Sequence, residues 1–334
     1  MSTNAEKSFA LSVPDSDVEL LHKKLDLVRF PDELEGADWD YGAPLSEIQR
    51  LVEHWKSTFD WRKAEAEINK LPMFTRDIEV EGHGTLDIHY VHKKRPGHFL
   101  EVRKMLPLLT DKSVDHPSFH VVALSLPAFG FSEAPKKPGF SGRQYADYIK
   151  EAIGVTLKVK AELEYSTAWR QTGFGYFAVQ STKPQTLGYS LADSPVGLLA
   201  WIYEKLVSAT DKYPWTDDEV IEWISIYWFS RAGPAAACRI YYEMTGGGKH
   251  DVFAGSKWTS VPLGVSYFPK EIVRVPRSWS CTLGKLVFES EHDKGGHFAA
   301  VEVPEKLASD LRLMYGKDGP AHGVVPGKTG YNQA

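Results

Sequence analysis

Cysteine is nearly absent from this chain: Cys238 and Cys281 are its only two in 334 residues, and no Cys-x-x-Cys pair occurs. That excludes a disulfide framework and a cysteine-built zinc site, and both thiols sit in apolar sequence contexts as a reducing compartment favours. No run of about 18 apolar residues is present, so nothing reads as a membrane-spanning helix. The opening MSTNAEKSFALSVPDSD lacks the basic stretch followed by an apolar one that marks a secretory leader. The expectation is a soluble, cytoplasmic protein with no membrane anchor. Charge of one sign is not in excess either: 39 basic and 44 acidic residues are interspersed, for a net charge of −5. That pattern offers nucleic acid no electrostatic footprint and points to a small-molecule partner. Internal repeats, low-complexity stretches and a Gly-x-Ser-x-Gly serine elbow are all missing.

What is present is apolar and aromatic. With 43% hydrophobic residues the chain can bury a large core, as one big domain with insertions or as two smaller ones. It carries 10 Trp, 15 Tyr and 16 Phe, many of them between Trp201 and Tyr242. Such crowding suits an apolar pocket with a few hydroxyl handles, although a thick aromatic core accounts for it equally well.

The N-terminal part, residues 1–72, reads as helices and loops. Asp15-Ser16-Asp17 is placed to cap a helix VELLHKKLDLV, and LSEIQRLVEHWKSTF has apolar residues at helical spacing. FTRDIEV (74–80) and TLDIHYVHKK (85–94) form a β-hairpin pattern. The helical FLEVRKMLPLL (99–109) precedes FHVVALSLP (119–127), a continuous apolar run of the kind a buried parallel strand shows. RQYADYIKEAI (143–153) reads as a helix, and VTLKVKAELEYSTAW (155–169) fits either strand or helix. From 193 to 245 the pattern is helical, with Asp193-Ser194-Pro195 as a start signal and Thr216 to Glu219 at capping-box spacing. An α/β pattern resumes at GKLVFESE (284–291), so the helical block reads as an insertion.

His297 follows Gly295-Gly296 at the exit of this late strand, where an open α/β sheet places its ligand chemistry. It is a candidate base, with a purely structural loop histidine as the competing reading. A base needs an acid on its other ring nitrogen to fix the tautomer and stabilise the imidazolium. Glu289, Glu291 and Asp293 are near in sequence. Glu271, which follows a proline and precedes the strand-like IVRVP, is a further candidate.

The segments VSYFPKE, VPRSW, FESEHDKGGHFAA and GPAHGVVPGKTGY, together with WDYG (39–42), FDWR (59–62), LEVRKMLPLL and SLPAFGFSEAPKKPGF, closely resemble microsomal-type epoxide hydrolases, the fungal ones above all. So do VQSTKPQTLGYSLADSPVGLLAWIYEKL and YWFSRAGPAA, and the resemblance spans most of the chain. It implies an α/β-hydrolase fold with a mostly parallel sheet, an N-terminal meander and an inserted helical cap. The implied division is an N-terminal meander with the first hairpin over 1–95, an α/β core over 96–160 and 262–334, and a helical cap over 161–261. It implies no cofactor and no metal, small apolar epoxides as substrates, a detoxifying role, and leaves room for a homodimer. In that family an aspartate opens the epoxide to an ester, two cap tyrosines hydrogen-bond the epoxide oxygen, and a histidine paired with an acid activates water against the ester. By resemblance His297 is the base, Glu271 its acid, and Tyr176 and Tyr241 the proton donors.

The chain departs from that pattern twice. The family's strand and His-Gly-Xaa-Pro turn, which supply an oxyanion donor, are replaced by VHKKRPGHFLEV. The strand and Gly-Gly-Asp-Trp-Gly elbow that hold the nucleophile have no counterpart between RQYADYIKEAI and the cap. Asp38 in Gly36-Ala37-Asp38-Trp39 mimics the elbow without its strand, Asp193 belongs to a helix start, and Asp147 reads as a solvated helix position. Ala128 stands where a glycine is expected. The sheet is therefore expected to lack central strands, with VTLKVKA a candidate to replace one. The corresponding functional expectation is an epoxide hydrolase by descent, impaired or inactive through the family route; a non-catalytic remnant that binds apolar ligands is the alternative.

Overall fold

The computed structural model describes residues 6–80, 83–93, 101, 103–111, 113–119, 121–125, 128–134, 136, 157–247, 258–274, 276–325, 327, 330 and 331. The helix expected at RQYADYIKEAI and Asp147 lie outside them. Helices α1 (Asp15–Asp26), α2 (Leu45–Ser57) and α3 (Trp61–Ile68) form the N-terminal meander with a 3-10 turn at Asp38–Tyr41. Ile48, Leu51, Val52 and Trp55 repeat at helical spacing on α2, and all four are buried. They pack with Leu21 and Leu25 of α1 against Leu198, Leu199, Ile221 and Ile224 from the helical insertion. The first helix differs from expectation at its start. Pro14 takes the N-cap position, and Asp15 and Asp17 lie in the first turn, where they face the positive end of the helix dipole instead of capping it.

The expected hairpin forms as β2 (Met73–Val80) and β3 (Gly84–Lys93), with β1 (Lys7–Phe9) on its outer edge. After α4 (Met105–Thr110), strand β4 (Val121–Leu124) lies beside β3 and antiparallel to it, not parallel as its apolar run suggested. Continuous apolarity reports burial on both faces and carries no information about direction. The parallel pairing belongs to β5 (Thr259–Tyr267) and β6 (Gly284–Glu291). Among the described residues these two strands form a separate sheet, and no strand links them to the four-stranded one. That break is where the missing central strands were expected.

The ambiguous segment resolves as helix α5 (Leu157–Thr172), so it does not replace a strand. The insertion continues with α6 (Gly175–Thr182), α7 (Pro184–Asp193), α8 (Pro195–Ser208), α9 (Asp217–Trp228) and α10 (Cys238–Thr245). Asp193 closes α7, and Ser194 caps α8 by accepting the Gly197 N–H, with Pro195 in the first turn. Thr216 and Glu219 make a full capping box on α9. The short α11 (Ala299–Glu302) and α12 (Pro304–Tyr315) follow β6, and α12 packs on α4 through Ala308, Met105 and Leu109. Of the two cysteines, Cys238 is buried and Cys281 is exposed, against the apolar context read from sequence. Among the described residues no helix is long and apolar enough to cross a membrane.

Candidate active site

His297 sits two residues ahead of α11, on a loop that the two preceding glycines make possible. Gly295 has φ of 111°, a conformation that disfavours any side chain. At Gly296 a Cβ would stand 2.7 Å from the Ala209 carbonyl oxygen and 3.1 Å from that of Lys270. The loop can therefore press against both chains, and does: Lys270 N–H donates to the Gly295 carbonyl at 3.0 Å and His297 N–H to that of Ala209 at 2.9 Å.

A carboxylate that sequence reasoning missed ties this loop together. Glu302 accepts N–H groups from Asp211 at 2.6 Å, Gly296 at 3.0 Å and Phe298 at 3.2 Å. Burial still pushes its pKa above the usual carboxyl range, against the pull of those three donors. The signal available was a glutamate four residues after Phe298 at a helix start, which is easily read as a solvated helical acid.

The imidazole Nδ1 of His297 lies 2.7 Å from Glu271 Oε1. Glu271 stands in a loop, and Ile272–Val273 forms a bend that leads into Arg274, not the strand read from its apolar residues. That bend is pinned to α5, where Ser166 Oγ donates to the Arg274 carbonyl at 2.7 Å and the Arg274 guanidinium lies 3.5 Å from the Tyr165 ring centre. The hydrogen bond to Glu271 raises the pKa of His297 above the ordinary histidine range, while burial opposes it. The nearer acids are engaged elsewhere: Glu289 accepts from Tyr267, Glu291 pairs with Arg277 and Asp293 with Lys306.

Tyr176 on α6 and Tyr241 on α10 meet edge to face with ring centres 6.0 Å apart. Lys205 lies 4.7 Å over the Tyr176 ring. Burial raises the pKa of both phenols, so each stays a neutral O–H donor at ordinary pH. His297, Tyr176 and Tyr241 line a single cavity of about 170 Å³, otherwise walled largely by apolar and aromatic groups such as Trp201, Trp223 and Tyr227. A larger groove, of about 800 Å³, contains Asp38 and Asp193 and none of these three. Asp38 does have a positive φ of 40°, but it lies on an exposed 3-10 turn apart from the histidine.

One acid in the cavity was not singled out from the sequence. Glu101 lines it from the chain just ahead of α4. Burial pushes its pKa up and the charge of His297 pulls it down, so the two groups act on each other. Its segment is clamped to α9, with Arg103 on both oxygens of Glu222 at 2.8 and 3.2 Å and Lys104 on Glu219 at 2.8 Å.

Comparison with known proteins places this chain in a family. The pattern described as epoxide hydrolase N terminus matches residues 6–112. A putative epoxide hydrolase of Stigmatella aurantiaca is 33% identical over 92% of this chain and 84% of that protein. The chain belongs to the epoxide hydrolase family. Epoxide hydrolase 1 of Sus scrofa is 28% identical, over 93% of this chain and 88% of that protein. The epoxide hydrolase of Aspergillus niger superposes with a TM-score of 0.75 at 28% identity, covering 92% of this chain and 95% of its own. The fold is thus that of the α/β-hydrolase epoxide hydrolases. The stretch shared with the Stigmatella protein is 380 residues long, more than the 334 of this whole chain, so that relative carries internal segments with no counterpart here.

Proposed function

We propose that this chain hydrolyses small apolar epoxides, aryl or alkyl, to vicinal diols, at a rate impaired by the loss of the elbow segment. The observation that carries this reading is the His297–Glu271 pair, 2.7 Å apart, with His297 in the same cavity as Tyr176 and Tyr241. The tyrosines hold the epoxide oxygen and give it a proton as the ring opens. His297, oriented through Nδ1 by Glu271, takes a proton from water. The chemistry needs no metal or cofactor. The 1–95, 96–160 with 262–334, and 161–261 division is the domain organisation we adopt, with the tyrosines in the cap and the base in the core. The cellular role consistent with this is detoxification of epoxides in the cytoplasm.

The test is diol formation from styrene oxide by purified protein, followed by chiral chromatography. Slow diol formation that disappears in His297→Gln supports the proposal. A second reading rests on the divided sheet: a remnant whose aromatic cavity binds apolar ligands without turning them over. Saturable binding of styrene oxide with no diol above the buffer background would establish that reading in place of the first.

A further inference from the structure

The proposed function leaves open which group makes the first bond to an epoxide carbon. A carboxylate that does so must face the ring from the side opposite the groups holding its oxygen. The two tyrosines come from α6 and α10. Glu101 comes from the chain ahead of α4, and α4 packs against α12, which follows the His297 loop. The wall that carries Glu101 therefore adjoins the wall that carries the base. Glu101 is the only carboxylate among the described residues lining the cavity, and its charge acts on both His297 and Tyr227. By accessible surface Glu101 is an exposed residue, although the groups around it desolvate its carboxyl.

The other nucleophilic groups there are poorly suited. The Cys238 thiol is pushed up to about 11 by burial, which leaves almost no thiolate at neutral pH. The Lys205 ammonium pairs with Glu204 at 2.6 Å and donates to the Gly173 carbonyl at 3.2 Å.

We propose that Glu101 is the nucleophile, attacking the epoxide to form a covalent hydroxyalkyl ester. This rests on the hydrolase reading given above and names the residue it lacks. A carboxylate oxygen of Glu101 bonds to one ring carbon as that carbon's bond to the epoxide oxygen breaks. The freed oxygen takes the proton of Tyr176 or Tyr241, leaving a phenolate. Water, losing a proton to His297, then attacks the ester carbonyl carbon. The acyl–oxygen bond breaks, and the departing alkoxide takes the proton from His297 to give the diol. The carboxyl proton left on Glu101 returns to the phenolate, which closes the cycle with one epoxide and one water consumed. One oxygen of Glu101 is replaced by solvent oxygen in each turnover.

That exchange is the test. The protein is allowed to turn over styrene oxide in heavy-oxygen water, then digested and mapped by mass spectrometry; in parallel, His297→Gln is acid-quenched with the same epoxide. We expect heavy oxygen in the Glu101 peptide, unlabelled diol in the first turnover, and in His297→Gln an adduct of one styrene oxide per chain on Glu101. Glu101→Gln should lose both the label and the diol while keeping its thermal transition. Diol that carries the heavy oxygen from the first turnover, with Glu101 unlabelled, would overturn Glu101 and leave the hydrolase reading standing; so would an adduct on another residue. Absence of diol and adduct together would overturn both. Should Glu101→Gln fail to fold, the label and adduct on the unsubstituted carboxylate decide the matter.

Discussion

His297 Nδ1 and Glu271 Oε1 meet at 2.7 Å, and the contact joins two loops 26 positions apart in the chain. The charged groups that bear on the imidazole are Glu271, Glu101 and Glu302, and all three favour its protonated form. A base must be neutral to take a proton, so the rate should rise with pH through a midpoint above the ordinary histidine value. Glu271→Gln should move the His297 midpoint down in an NMR titration and slow diol formation by about 100-fold or more, within the range for general bases. The stability link has a definite sign. The pKa is raised on folding, so the contribution of the pair is complete below the unfolded histidine value and is lost as pH rises through the folded one. A midpoint unchanged in Glu271→Gln would refute the pairing.

The two phenols should act as separable donors. Each single change, Tyr176→Phe or Tyr241→Phe, should lower kcat for styrene oxide about 10²-fold, comparable with the loss of one donor to a developing oxyanion, and should leave the protein folded. The pKa of both is raised, so neither should produce a descending limb in the rate profile below about pH 10. Rates equal to the unsubstituted protein in either variant would leave that tyrosine with a packing role alone.

Glu302 gathers three backbone donors around the His297 loop. Glu302→Ala leaves those N–H groups without their acceptor and should cost about 1–3 kcal/mol in urea unfolding, with His297 misplaced and activity lost in parallel. Glu302→Gln keeps one acceptor oxygen and should lose less on both counts. An equal loss in the two variants would point to the charge and not to the hydrogen bonds.

Much of this was readable in the residues and some was not, for definite reasons. The helices of the meander were visible because Ile48, Leu51, Val52 and Trp55 follow the helical repeat, and His297 stood out because Gly295-Gly296 marks a tight strand exit. The partners Glu271, Tyr176 and Tyr241 came from likeness to a family, since spacing alone also offered Glu289, Glu291 and Asp293. The direction of Val121–Leu124 was hidden because apolarity is blind to it. The IVRVP run misled because a bend pinned by Ser166 overrode its strand propensity. Glu101 was overlooked because a lone glutamate beside Arg103 and Lys104 looks like a solvated helix face, and only the fold sets it on the lining of the cavity that also holds His297.

Ala128 offers a test of the turn on which the second half of the first sheet ends. It has φ of 72°, in the left-handed region, and is 5% exposed. Its N–H donates to the Glu133 carbonyl at 3.3 Å, so the turn is closed and the conformation is held. An L side chain in that region costs about 1–2 kcal/mol, which glycine avoids. Replacing Ala128 by Gly also removes a buried methyl worth about 0.8 kcal/mol and frees the unfolded chain somewhat. The relief and the losses are close in size, and the relief should win narrowly, by up to about 1 kcal/mol. Calorimetry should show Ala128→Gly melting about 2 °C higher than the unsubstituted chain, the scale expected for a large domain. A lower melting temperature would mean that the methyl packs well enough to outweigh the strained backbone.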